Sequence, residues 1–372
     1  MRNKYSLFFF TIFLVSCNTS TKPIVINNEL NKYKNFKIEI LDASQLEKSD
    51  SSIVGNINII QIYNNYIYIL ESITSKSLIC FSANGKFVFR TKIGFQNGEL
   101  HKPQDFQIKN NRLYILDHPY IKLFSLTGGF IKSLNIGEGL YFSNFILTNF
   151  NNVLIYSNFP ALDDNKKGNR NAVCYQYHEL DTNFTKELGT YLPVFSDYYR
   201  LGEFKPFAFF ENHYLLSHTP YNSIYCYSEN QVFEKYIITF SDYSITDKDV
   251  LLGLSSYVKK IDNGLRYGMI DDINETKNYV TFSYIKSKNN IKYSVYSKMS
   301  GSCADFYDIL KNNNLPKMHL KNTFKNDFIC TLFPNEIENQ TIKVNGRIIK
   351  LVANEETLQN PIILIVRIIE NH

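Results

Sequence analysis

Two stretches of this chain match each other at a constant offset, and that offset limits the fold more than any other feature. The first comprises Tyr66–Glu71, Leu78–Ser82, Asn84–Phe87 and Lys92–Gly94. The second comprises Arg112–Asp117, Ile121–Ser125, Thr127–Phe130 and Asn135–Gly137. Phe81 and Phe124, Phe87 and Phe130, and Gly94 and Gly137 each stand 43 positions apart. A repeat of that length with four short strands is the signature of a propeller blade, a unit that buries its faces only by stacking on neighbours. The strands are rich in Ile, Tyr and Phe, which suit a pleated, half-buried surface. Asn84-Gly85 and Gly128-Gly129 supply the positive φ angles of tight hairpins. Asn64-Asn65 and Asn110-Asn111 mark the turns before them.

Weaker copies follow. Phe145–Thr148, Val153–Tyr156, Val173–Tyr177 and Thr185–Leu188 make a third blade. Phe207–Phe210, Tyr214–Ser217, Ser223–Ser228 and Val232–Phe240 make a fourth. Tyr267–Ile270, Tyr279–Tyr284, Lys292–Tyr296 and Ala304–Leu310 make a fifth, and Phe324 with Phe328–Phe333 begins a sixth. Pro361–Ile368 is almost continuously apolar, and such a strand left at an edge is an aggregation template. It must pair on both sides. Phe36–Ile40 alternates and precedes the first blade, so the two chain ends are expected to share the sixth blade and close the ring. The fold class is therefore all-β: a six-bladed propeller of four-stranded blades over residues 36–372, with short helical insertions. Six blades of about 43 residues leave a surplus of about 100. The surplus is assigned to residues 161–171, to 242–264 with a helix starting at Thr246 and burying Leu251, Leu252, Leu254 and Val258, and to 335–360 with a strand pair at Asn345-Gly346 and a short helix near Asn354.

Composition narrows the class. The chain has 29 Phe and 27 Tyr but no Trp, which excludes WD repeats and other blades that dock a Trp. The leader has the form of a secretory signal. Arg2 and Lys4 precede an apolar run from Leu7 to Val15, too short to span a bilayer, and Leu14-Val15-Ser16-Cys17 follows. This matches a bacterial lipobox. Residues 1–16 are then removed, Cys17 becomes the acylated first residue, and residues 17–35 form a tether. The expected address is the cell envelope, lipid-anchored at the outer membrane, on its periplasmic or surface face. Removing Arg2 and Lys4 takes the formal charge from +5 to +3, too small and too dispersed for nucleic acid. The other cysteines, Cys80, Cys174, Cys226, Cys303 and Cys330, are odd in number and contain no CxxC pair, so they read as packing residues within a sheet.

The segments Ile93–Glu99, Pro103–Phe106, Leu113–Asp117 and Gly128–Phe130, with Pro220–Tyr225 and Asn360–Arg367, resemble the six-bladed β-propeller lipoproteins of Bacteroidetes in order and spacing. Gly94, Gly98 and Glu99 match a Gly-x-Gly-Pro-Gly-Glu loop of that family, whereas Gln96 and Asn97 replace its middle Gly-Pro. The resemblance implies the fold and an envelope address, and no particular reaction.

Loops joining strands 2 and 3, and loops joining one blade to the next, share one face of a propeller, where sites usually lie. That face gathers Glu71, Glu99, His101, Asp117, His118, Tyr198, Tyr199, Arg200, His218 and Tyr221 as candidate ligand-binding residues. Each has an ordinary reading as well. Asp117-His118-Pro119 is a competent turn. His101 and His218 are lone histidines without metal-ligand spacing. Asp271-Asp272 reads as a solvated pair. The sequence contains no G-x-S-x-G, HExxH or P-loop, so no catalytic residue is assigned. The expectation is a non-catalytic module that binds a protein, peptide or glycan and needs no cofactor. The alternative is a metal-dependent hydrolase or lactonase holding a divalent cation with carboxylates such as Glu71 and Asp117 at the pore mouth.

Overall fold

The computed structural model describes residues 21–26, 36–136, 142–157, 173–195, 205–218, 220–228, 231–336, 341–345, 347–350 and 360–371. Six antiparallel sheets succeed one another along the chain. Blade 1 is Ile59–Tyr63, Tyr66–Glu71, Ser77–Ser82 and Phe87–Arg90. Blade 2 is Pro103–Lys109, Arg112–Asp117, Tyr120–Ser125 and Phe130–Asn135. Blade 3 is Asn144–Leu147, Asn152–Tyr156, Val173–Asp181 and Glu187–Phe195. Blade 4 is Phe207–Phe210, His213–His218, Ser223–Ser228 and Gln231–Thr239. Blade 5 is Gly268–Glu275, Tyr279–Ser287, Asn290–Ser297 and Cys303–Asp305. The expected six-bladed all-β propeller is the observed fold.

Blade 6 is built from both chain ends. His319–Phe324 and Asp327–Leu332 are its first two strands, Ile362–Glu370 its third and Phe36–Gln45 its fourth. The register runs from Phe36 opposite Glu370 to Gln45 opposite Ile362, and Phe328 pairs with Val366 on the other side. The apolar closing strand is thus paired along both edges. A hairpin of Thr341–Val344 and Arg347–Lys350 continues the sheet outward through Ile40 opposite Val344.

Two-residue periodicity explains how blades stack. In blade 1, Ile67, Ile69, Ile79 and Phe81 pack against Ile329 and Ile363 of blade 6. The alternate residues Tyr68, Leu70, Leu78 and Cys80 pack against Phe106, Leu113, Ile115 and Phe124 of blade 2. Leu116 and Ile121 then face Phe145, Val153 and Ile155 of blade 3. The middle strands of a blade bury both faces, because successive side chains point to opposite sides of the sheet. Burying one such aliphatic or aromatic side chain contributes about 1.5–3 kcal/mol. Cys80, Cys174, Cys226 and Cys330 are buried in these layers without disulfides.

Three expectations are corrected. The single helix expected over 242–264 is two, Asp247–Leu251 and Leu254–Asp262. Thr246 does cap the first, accepting from Asp249 N while Asp249 accepts from Thr246 N at 3.0 Å. Gly253, at φ +83, then breaks the path and shifts the phase of the second helix. The buried face is Val250, Tyr257 and Ile261, and Leu251 and Leu252 are exposed. The fourth strand of blade 5 stops at Asp305, whose carboxylate accepts from Tyr307 N at 2.9 Å and starts the helix Phe306–Asn312. Phe306, Ile309 and Leu310 have helical spacing and are buried. Within the expected tether, Lys22–Val25 is a strand parallel to the fourth strand of blade 4. Cys17, residues 161–171 and the helix expected near Asn354 lie outside the described residues.

Candidate functional site

The first strand of every blade lines a central channel of about 850 Å³. Its wall is rich in amides and charges: Asn56, Asn58, Gln61, Gln104, Gln107 and Asn322, with Lys102, Lys109, Lys205 and Lys321 and the carboxylates of Asp105 and Asp272. Several of these side chains stitch one blade to the next. Lys321 Nζ donates to Ile57 O at 2.9 Å and Asn322 Nδ2 to Ile60 O at 2.8 Å, joining blade 6 to blade 1. Gln61 Nε2 donates to Phe106 O at 3.0 Å, and Phe145 N donates to Asp105 Oδ2 at 2.9 Å. Tyr214 Oη accepts from Asn149 N at 3.1 Å.

Lys205 is the centre of this arrangement. It precedes blade 4, and its ammonium donates to Asn274 Oδ1 of blade 5 at 2.7 Å and to Asn322 Oδ1 of blade 6 at 2.8 Å. Burial pulls its pKa down to about 8, against the opposing charges of Asp272, Asp105 and Asp271. Asp105 moves the other way. Burial pushes it up to about 7, although Phe145 N and Phe106 N both donate to it. An ammonium and a carboxylic acid, both shifted toward neutrality, therefore share one channel, an arrangement typical of functional sites.

Asp271 and Asp272 are not the solvated pair that their adjacency suggested. The strand Gly268–Glu275 is irregular, with positive φ at Met269 and Asp272 and register shifts on either side of Asp271. Bulges of this kind re-aim side chains. Asp271 is 4% exposed. Asp272 reaches the channel wall and accepts from Tyr293 Oη at 3.1 Å.

The residues singled out from sequence separate into three places. Glu71 is buried, and its Oε1 accepts from Gly55 N at 3.0 Å and Asn56 N at 2.9 Å. Asp117 occupies the equivalent position in blade 2 and accepts from His101 N at 3.0 Å and Lys102 N at 2.6 Å, with Lys122 Nζ at 2.6 Å. Both carboxylates hold the loop that leads into their own blade, and neither lines the channel. Glu99, His101 and His118 cluster around Asp117. Glu99 Oε2 accepts from Gln96 N at 3.0 Å, and the His101 ring lies 4.0 Å from that of the exposed Phe95. His118 and Pro119 are joined by a cis peptide bond.

His218 and Tyr221 meet on blade 4, their rings 4.8 Å apart. His218 is buried, which pulls its pKa down to about 4, and its Nε2 lies 3.1 Å from Pro193 O. The imidazole is thus neutral and donates through Nε2. Tyr198, Tyr199 and Arg200 lie outside the described residues. Among the described residues no group of three His, Cys, Asp or Glu side chains converges as metal ligands do.

A second buried ionic group was not legible in sequence. Glu275, 1% exposed, receives Lys235 Nζ at 3.0 Å, Lys298 Nζ at 2.6 Å, Tyr236 Oη at 3.0 Å and His213 Nε2 at 2.8 Å. Burial alone would raise its pKa, but His213 and the two lysines hold it down to about 2. Its partners come from blades 4 and 5, so this group fastens those blades together.

Comparison with known proteins agrees with the architecture. No curated protein matches the chain. A protein of Bacteroides fragilis NCTC 9343 described as exported superposes with a TM-score of 0.74 at 17% identity, over 93% of this chain and 99% of that one. A member of the DUF4221 family from Bacteroides vulgatus ATCC 8482 gives a TM-score of 0.52 at 10% identity, over 91% and 100%. The model of DUF4934, a domain of unknown function, matches residues 8–367, from the apolar leader through the closing strand. The chain belongs to the DUF4934 family.

Proposed function

We propose that this chain is an exported, lipid-anchored β-propeller of the cell envelope that binds a polar ligand, a glycan or a peptide, in its central channel without transforming it. The observation that carries this reading is the channel itself. Six blades contribute to a polar wall in which amides are interspersed with charges of both signs, and Lys205 and Asp272 lie within Coulomb range. Asn and Gln side chains each both donate and accept, which suits ligands that present many hydroxyls or peptide groups. The lipobox at Leu14–Cys17 supports the anchor, and the Bacteroides fragilis protein of similar fold is described as exported.

The test is a screen of glycans and peptides against the purified protein and a Gln107→Phe variant. Gln107 lines the channel apart from the Lys205 cluster, so Phe fills space there and leaves the ionic group intact. Binding is expected to weaken by about tenfold or more, roughly 1.4 kcal/mol, at an unchanged melting temperature. Unchanged affinity would place the ligand elsewhere. One arrangement favours a hydrolytic reading: Asp105 and Lys205 line the same channel, and burial pushes the acid up and the ammonium down. Turnover of an ester or lactone that is lost in Asp105→Asn would establish it.

A further inference from the structure

The strand Lys22–Val25 lies outside the repeat. It runs parallel to the fourth strand of blade 4, with Lys22 opposite Tyr236 and Val25 opposite Thr239, and it forms the outer edge of that sheet. It is firmly seated. Ile24 is fully buried in a cluster with Tyr236, Ile238 and Phe240. Ile26 N donates to Thr239 O at 2.8 Å, and Thr21 Oγ1 donates to Glu234 O at 3.2 Å. Burying one such Ile contributes about 1.5–3 kcal/mol, so the chain is pinned to blade 4 at this point. Only the steps from Cys17 to Lys22 separate the pinned strand from the lipidated position. A fully extended chain covers at most about 3.5 Å per residue, so those steps span no more than roughly 18 Å.

We propose that the outer edge of blade 4 is the membrane-facing surface of this protein. It lies against the bilayer that holds the Cys17 lipid, and blade 1, on the far side of the ring, points away. This rests on the lipidation of Cys17 in the reading above. A free tether over residues 17–35 would leave every orientation open. The pinned strand removes that freedom, because the acyl chains must enter the bilayer within one short span of Lys22. The edge is suited to the contact. Val25 and Ile237 are exposed apolar side chains there, and the exposed Lys22 beside them offers an ammonium to headgroup phosphates.

The chain has no Trp, so one introduced Trp reports its own position. Ile237→Trp and Val25→Trp mark the blade 4 edge, two variants in case one fails to fold, and Val88→Trp marks the outer strand of blade 1. Each full-length acylated protein is reconstituted into phosphatidylethanolamine–phosphatidylglycerol vesicles carrying a dansyl headgroup lipid. Energy transfer is expected to be several-fold stronger from Trp at 237 or 25 than from Trp at 88. Equal transfer, or stronger transfer from position 88, in protein whose N-terminal peptide carries the acyl mass overturns the orientation and leaves lipidation standing. An N-terminal peptide without that mass, together with a Cys17→Ala protein that still binds vesicles, overturns the lipidation and the orientation with it.

Discussion

The Lys205 ammonium reaches Asn322 Oδ1 at 2.8 Å and so joins the start of blade 4 to the innermost strand of blade 6, passing blade 5 on the way. Among the described residues no strand pairing connects these blades. A single cation bridges one side of the channel, and its neighbours Asp272, Asp105 and Asp271 depend on it for charge compensation.

Lys205→Met removes that cation and its hydrogen bonds to Asn274 Oδ1 and Asn322 Oδ1. Burial disfavours the charged form of Lys205, so the deficit of the variant is expected to be small at pH 7 and to grow toward pH 10.5, read as the denaturant midpoint. The pH dependence has a definite sign. The folded pKa of Lys205 is about 8, below the ordinary 10.5. Between these values the unfolded chain keeps a proton that the folded chain has released, so this residue makes stability rise with pH across that window. Lys205→Met should lack that part of the rise, which denaturation at several pH values from 7 to 10.5 would measure.

Glu275→Gln leaves Lys235 and Lys298 without their common anion. A loss of about 3 kcal/mol is expected at neutral pH. The folded carboxylate sits at about 2, below its ordinary 4.5, so its contribution is present above 4.5 and is lost as pH falls toward 2. The gap between wild type and variant should therefore narrow over that acid range, as thermal melts would show.

Gly85→Ala tests the contact between the blade 1 hairpin and the fourth strand of blade 6. Gly85 has φ +82, and a Cβ there would stand 2.0 Å from the carbonyl oxygen of Gln45. The expected loss is about 2 kcal/mol or more, with the melting temperature as readout.

Deleting residues 361–372 removes the strand that pairs with both Asp327–Leu332 and Phe36–Gln45. The truncated protein is expected to aggregate, or to melt several degrees lower, because two apolar strand edges are then open. A monomeric truncation with an unchanged melt would contradict the pairing.

The fold was legible in the sequence because its determinants are local and repeated. Asn84-Gly85 and Gly128-Gly129 set hairpins, the alternation of Tyr66–Glu71 and Arg112–Asp117 set strands, and the unbroken apolar run after Pro361 demanded two partners. The helix Phe306–Asn312 was missed because its apolar residues follow a strand without interruption. Asp305, its N-cap, was the available signal. The channel was hardly legible at all. Asp105, Lys205, Asp272 and Asn322 each come from a different repeat, and only ring closure brings them together. Asp271-Asp272 was visible as a pair, but its burial follows from a bulge that no residue type announces. Glu71 and Asp117 were correctly matched by blade position, and both turned out to hold the backbone of their own blades.

The fourth strand of blade 6, Phe36–Gln45, precedes blade 1 in the chain, and its partner Ile362–Glu370 follows blade 5. While the five blades between them form, the early strand lacks that partner. Completion of the sixth sheet therefore spans the other five blades: it joins segments about 320 residues apart, and the ring shuts only when both are present.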